Sequence, residues 1–221
     1  ILSRELGKIA AFAKGARRPN SHLIGVTRPF IFGTFEVYRG RDSYTIQKAN
    51  VTNYFEELVS DLDGVLYGYY FAELAEYYGR ENLDAADMIN LLYVAFKALV
   101  NKSLPNELVR YIYEIRLIAV NGECPDFFSC AGCGSEKELQ LYSYKENGMY
   151  CVECAASSGD GIVLQSSTLY TLQYIITAPL TKLFNFVVKA DVLNELKKVV
   201  NRIEFITFDK HFKSKEMLDI G

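Results

Sequence analysis

The sequence predicts an α+β chain in two domains, a small β module over residues 1–51 and an α-helical domain over 52–221 that a metal-binding insertion interrupts at about 128–156. Three observations predict this. The hydrophobic pattern changes period near Val51, two cysteine pairs share a metal-site spacing, and charge divides unevenly along the chain. From Ile1 to Lys48, nine basic residues face only Glu5, Glu36 and Asp42, a charge of +6; the remaining residues carry 15 basic and 24 acidic side chains, or −9. A basic part joined to an acidic one is expected when one part meets a polyanion. The alternative is a solvated basic face without a partner.

The front of the chain reads as β-structure. Residues 6–15 have a strand's composition between Gly7 and Gly15, and 16–21 form a polar, proline-containing loop. Residues 30–38 are rich in aromatic and branched side chains. Arg39-Gly40-Arg41-Asp42 is the expected turn, and 43–47 alternate as a half-buried strand does. Strand, turn and strand with basic loops point to a small antiparallel barrel, which 48 residues are too few to close comfortably.

After Val51, Phe55, Leu58, Leu62, Leu66, Tyr70 and Leu74 recur at helical spacing, with Gly64 and Gly68 as expected weak points. Asp84 and Asn106 are candidate caps for two further helices. Behind the cysteines, one helix starts at Ser166 or Ser167 and stops before Pro179, and another opens at Asp191. Their apolar stripes are core-forming.

Cys130/Cys133 and Cys151/Cys154 are each separated by two residues, and 134 to 150 lie between the pairs. That is the spacing of a zinc site, because a tight turn aims both thiolates of a pair at one metal and two turns complete a tetrahedron. Gly132 and Gly134 flank Cys133, and Asn147-Gly148 is a hairpin turn that returns the second pair to the first. The alternatives are two disulfides or a thiol redox motif. With neither a signal peptide nor an apolar run long enough to span a membrane, reduced thiols in a cytosolic setting favour metal. Four cysteines fill the coordination shell, so a structural zinc is expected. Cys124 is expected to be a buried free thiol.

Enzyme chemistry finds little support. The chain has no G-x-x-x-x-G-K-[S/T] or G-x-G-x-x-G loop. Its two histidines, His22 and His211, have no evident nucleophile partner in sequence, and the paired carboxylates at Glu56/Glu57, Asp61/Asp63 and Glu73/Glu76 read as solvated helix faces.

Several stretches resemble the RecO family, the recombination mediators of the bacterial RecF pathway. They are residues 6–19 with Ser21, 38–41, Glu114-Ile115-Arg116-Leu117, Gly122 with Pro125-Asp126, Cys130-Ala131-Gly132-Cys133-Gly134, Cys151-Val152-Glu153-Cys154-Ala155, and His211 with Lys213-Ser214 and Leu218. The resemblance implies an N-terminal OB-fold barrel followed by a helical domain holding a zinc insertion. It implies a cytoplasmic, nucleoid-associated protein without catalysis. Such a protein binds single- and double-stranded DNA, anneals complementary strands and helps to load recombinase onto strands coated by single-strand-binding protein. RecR and the acidic C-terminal tail of single-strand-binding protein are the implied partners. The family has about two dozen residues ahead of the point matching Ile1, the first barrel strand among them, and an OB-fold needs about five strands, so the barrel is expected to be incomplete here.

On this reading Lys8, Lys14, Arg17, Arg18, Arg39 and Arg41 face DNA, neutralising phosphates and releasing counterions. Phe12, Phe30 and Tyr38 are candidates to stack on bases, although barrel core is the expected place for Phe12. Arg116, with Arg110, is a candidate contact for the acidic tail, against the alternative of a surface salt bridge to Glu107 or Glu114. The competing function is a zinc-ribbon scaffold that binds proteins through its acidic helices and hardly touches nucleic acid.

Overall fold

The computed structural model describes residues 1–41, 43–102, 104–156 and 159–218. The chain forms two compact units, one of Ile1–Asn101 with the C-terminal segment that starts at Phe212, the other of Lys102–His211. Whereas the change of hydrophobic period falls near Val51, this division follows packing, and the first helices belong with the strands.

In the first unit, β1 (Leu2–Ser3) pairs antiparallel with β2 (Gly7–Lys8). Gly7 has φ +62°, and a Cβ there would lie 1.9 Å from the Arg80 carbonyl oxygen, so only glycine fits. Next come β3 (Ala11–Phe12), β4 (Phe32–Arg39) and β5 (Tyr44–Asn53), in sheet order β3-β5-β4. β4 runs antiparallel to β5, whereas β3 runs parallel to it. Asp42 of the expected turn lies outside the described residues; the Gly40 N–H donates to the Ser43 carbonyl at 2.8 Å.

The sheet gives way to α1 (Glu56–Ser60), α2 (Leu62–Tyr78) and α3 (Ala86–Val100). The break between α1 and α2 falls at Asp61, whose carboxylate accepts from the Gly64 N–H at 3.1 Å and caps α2. Helix α2 runs unbroken through Gly64 and Gly68. A Cβ on Gly68 would sit 3.1 Å from the Phe30 ring and 3.2 Å from Leu58, so the glycine lets these side chains approach the helix closely. Phe30 also meets Phe96 edge-on at 5.2 Å and Tyr69 at 4.9 Å, an aromatic seam that fastens the strand segment to α2 and α3. Asp84 accepts from the Ala86 N–H at 3.0 Å at the start of α3.

The second unit is built on α4 (Asn106–Val120), in which every residue from Leu108 to Ile115 is buried. The metal module follows as β6 (Leu139–Ser143), β7 (Gly148–Cys151), the single turn α5 (Val152–Ala155) and β8 (Gly161–Val163). These strands form an antiparallel sheet in the order β7-β6-β8. The third strand, β8, has no counterpart in the sequence reading. α6 (Ser166–Thr177) and α7 (Ala190–Thr207) pack on α4 and on each other. The chain then returns to the first unit, where Phe212 packs against Tyr70 and Tyr77 and α8 (Lys213–Leu218) lies on α2. The Glu73 carboxylate accepts from the Ser214 backbone N–H at 3.0 Å and from its hydroxyl, so this residue holds α8 in place. Among the described residues, no helix is long and apolar enough to cross a membrane.

Candidate metal centre and nucleic-acid interface

The cysteine turns bring four sulfur atoms together, all within 4.8 Å of one another. The first turn closes when the Gly134 N–H donates to the Cys130 carbonyl at 2.8 Å, and Gly134 takes φ +75°. Gly132 leaves the turn close to Cys154. A Cβ on it would lie 3.3 Å from Cys154 Sγ. The hairpin turn at Asn147, φ 50°, returns β7 along β6 and delivers Cys151, and α5 presents Cys154 one turn later.

The donor set fits a tetrahedral zinc. A zinc–sulfur bond of about 2.3 Å puts neighbouring sulfurs about 3.8 Å apart, and Cys133 Sγ lies 3.8 Å from Cys151 Sγ. Burial opposes ionisation of Cys130, but backbone N–H groups of Cys151, Cys133 and Gly132 outweigh it and bring the thiol down to about 6. Hydrogen bonds to Cys151 and Cys133 push Cys154 up to about 12. One thiolate forms readily while Cys133 and Cys154 resist, as expected where a cluster of sulfur anions needs a cation among them. Cys124 stands apart from this cluster, with burial pushing its thiol up to about 12.

Side chains from the helices fasten this module within its own unit. Arg202 on α7 donates to the Tyr144 carbonyl at 3.1 and 2.6 Å. Gln173 on α6 donates to the Phe127 carbonyl at 2.8 Å, and the fully buried Phe127 ring stacks on Tyr142 at 5.8 Å. The four-cysteine module is thus tied to hydrophobic core.

Of the six cations expected to face DNA, Lys14, Arg17, Arg18, Arg39 and Arg41 are exposed. Successive turns shape the 13–18 loop, with the Ala16 N–H on Ala13 O at 3.1 Å and the Arg18 N–H on Gly15 O at 2.9 Å. Arg39 closes β4, its guanidinium 6.0 Å from the Tyr44 ring centroid. Lys8 is placed differently. Its ammonium donates to the Glu76 carbonyl at 3.2 Å and lies 3.9 Å from that residue's carboxylate, so it is engaged by α2. Among the aromatic candidates, Phe30 is buried and Tyr38 exposed. Phe12, expected in the core, is 62% exposed. β3 is only two residues long, and its Phe12 falls on the outer side of the sheet.

Arg110 and Arg116, the candidates for an acidic tail, turn inward. Arg110 is 8% exposed, with its Nε 2.7 Å from Glu114 Oε1 and its terminal nitrogen 3.6 Å from Glu204 Oε2. Glu114 is therefore a partner of Arg110 on the preceding turn, and it is buried rather than at the surface. Burial and the neighbouring Glu204 carboxylate push Glu114 up to about 8, against the pull of Arg110. Arg116 donates to the Ile175 and Ala178 carbonyls at 3.2 and 3.1 Å, closing the C-terminal end of α6. Glu107, the other expected salt-bridge partner, instead accepts from Tyr111 at 2.7 Å and faces Lys197 at 3.6 Å. The Arg110–Glu114–Glu204 group was not legible in sequence, because Glu204 lies some ninety positions from the other two.

A basic β segment and a helical unit with four clustered cysteines that could hold a metal define an α+β protein. Comparison makes this particular. The family model "Recombination protein O N terminal" matches residues 1–55, and "Recombination protein O C terminal" matches 59–216. The protein described as DNA repair protein RecO of Acetivibrio thermocellus is 31% identical over 99% of this chain and 87% of its own length. Those of Bacillus subtilis and Caldanaerobacter subterraneus are 27% and 26% identical, over 99% and 98% of this chain and 86% and 87% of theirs. The chain belongs to the RecO family, whose work is DNA repair and recombination.

Proposed function

We propose that this chain is a recombination mediator that binds single- and double-stranded DNA through residues 1–51. It anneals complementary strands and helps to load recombinase onto strands coated by single-strand-binding protein. The observation that carries the reading is the cluster of exposed cations at Lys14, Arg17, Arg18, Arg39 and Arg41, on a segment of charge +6 in a chain of the RecO family. Cations of this kind neutralise phosphates whatever the sequence, and two backbones screened on one protein repel each other less. The three-stranded sheet, with its unusual parallel pair, is read as part of an OB-fold. Lys8 is the weakest member of the DNA set, since Glu76 already engages it.

The four cysteines hold a structural zinc in this reading, and the protein works without catalysis in the cytoplasm, close to the nucleoid. Cys130, Cys133, Cys151 and Cys154 would hold the ion, which would cross-link the two turns that carry them. RecR and the acidic tail of single-strand-binding protein are the partners the family supplies. With Arg110 and Arg116 occupied inside the second unit, a tail would have to share them or find other cations.

The test is DNA affinity against salt. If several phosphates are engaged, raising salt from about 50 to 200 mM costs on the order of a thousandfold. Arg17→Glu with Arg18→Glu weakens single and double strands of every sequence alike. Unchanged binding by that double variant removes the proposed surface and leaves the protein-binding scaffold.

A further inference from the structure

Thr45 in the middle strand has a register partner on each side, Phe12 in β3 and Tyr38 in β4. Residues directly opposite in a sheet project to the same face, so the three side chains form one row. Along β5, Thr45 lies between buried Tyr44 and Ile46, which puts the row on the outer face. There the two rings are 62% and 66% exposed, with a short threonine between them. Two large aromatic side chains at matched positions across a small one make a slot with apolar walls.

The width of that slot indicates what fits. Two strand spacings of about 4.8 Å root the rings roughly 10 Å apart. Bases stack at about 3.4 Å, so the span accommodates three stacking steps, from ring to base to base to ring. Charge near the row suits the backbone that would accompany those bases: Lys14, exposed, follows Phe12 by two positions. Arg39, next to Tyr38, projects to the other face, its guanidinium 6.0 Å from the Tyr44 ring centroid. Further along the β4–β5 pair, Lys48 and Glu36 lie 3.9 Å apart and offset each other. In a duplex each base is already stacked and paired, and its faces are closed to a protein ring.

We propose that Phe12 and Tyr38 bracket two unpaired bases over Thr45, so that selection of single strands resides in these rings while the arginines and lysines carry the phosphate charge of any strand. This rests on the DNA-binding reading above and deepens it by assigning strand preference to particular residues. Affinity and selectivity are then separable by mutation.

The experiment titrates the full chain against a labelled thymidine oligomer and a hairpin duplex of equal phosphate count, with a 2-aminopurine reporter in a second single strand. Phe12→Ala and Tyr38→Ala each lower single-strand affinity about tenfold and leave duplex affinity within about twofold. They also abolish the quenching that stacking imposes on 2-aminopurine, whereas Tyr38→Phe retains it. Both positions are exposed, so a melting curve confirms that the variants fold. Equal losses on duplex and single strand overturn the bracket, and so does no loss on either. If Arg17→Glu with Arg18→Glu weakens both DNAs while the ring variants weaken neither, the bracket falls and the DNA surface stands. Should neither set alter binding, the DNA reading itself falls.

Discussion

The two compact units use arginine in opposite ways. In the first, Arg17, Arg18 and Arg41 stand exposed on loops. In the second, Arg110 is buried between two carboxylates and Arg116 holds the last carbonyls of α6. A guanidinium in water retains its charge for a polyanion, because solvent screening makes its local contacts weak. A buried one has its donors committed, and removing it strands whatever it neutralises. Residue type therefore says little about function until burial is known. The same contrast separates the metal centre, where four sulfurs are drawn together inside a folded module, from the open row of Phe12, Thr45 and Tyr38.

The contrast is most strongly tested at the cysteines. Cys133→Ser removes one ligand from a centre of a kind whose binding contributes about 10–16 kcal/mol in small zinc peptides. Hydrogen exchange of the β6–β7 amides should then rise throughout 130–154, while exchange in β4 and β5 remains unaltered. Loss of protection in both units would show that the metal supports more than its own module. Next in size is Arg110→Met, which leaves Glu114 and Glu204 buried without their cation and costs about 3–5 kcal/mol. The matching change at an exposed site, Arg17→Met, stays within about 0.5 kcal/mol. Denaturant midpoints for the two variants measure the difference, and similar values would erase the distinction between the units.

The last effect is on pH. Glu114 has its folded pKa raised from 4.5 to about 8, so the folded state prefers the protonated carboxyl. Stability from that preference is complete below about 4.5 and is lost as pH rises through 8. The melting temperature of the second unit is expected to fall between about pH 5 and 8. Glu204→Gln removes the neighbouring negative charge and should flatten the slope, and an unchanged slope would place the titration elsewhere.

Local pattern made some of this legible. The cysteine spacing and the Asn147-Gly148 turn specify the metal module because each depends on a few adjacent residues. The stop of α6 before Pro179 was readable for the same reason. What escaped depends on distant partners. Gly68 looks like a helix weakness until Phe30 and Leu58 are seen against it. Phe12 has a core residue's composition, yet the register of a two-residue strand turns it outward. Arg110 and Arg116 resemble surface cations, and only the packing of α4 against α6 and α7 commits them. The charge imbalance pointed to the basic segment, but it could not separate Lys8, engaged by Glu76, from the exposed cations beside it.

The return of the chain at Phe212 has a bearing on biosynthesis. Residues 1–101 are translated before 102–211, yet the unit they form receives α8, pinned through Ser214 to Glu73, only after the whole of Lys102–His211 has been made. The contiguous unit is thus the first for which every partner is present. Helix α2, on which α8 packs, waits until then for that partner.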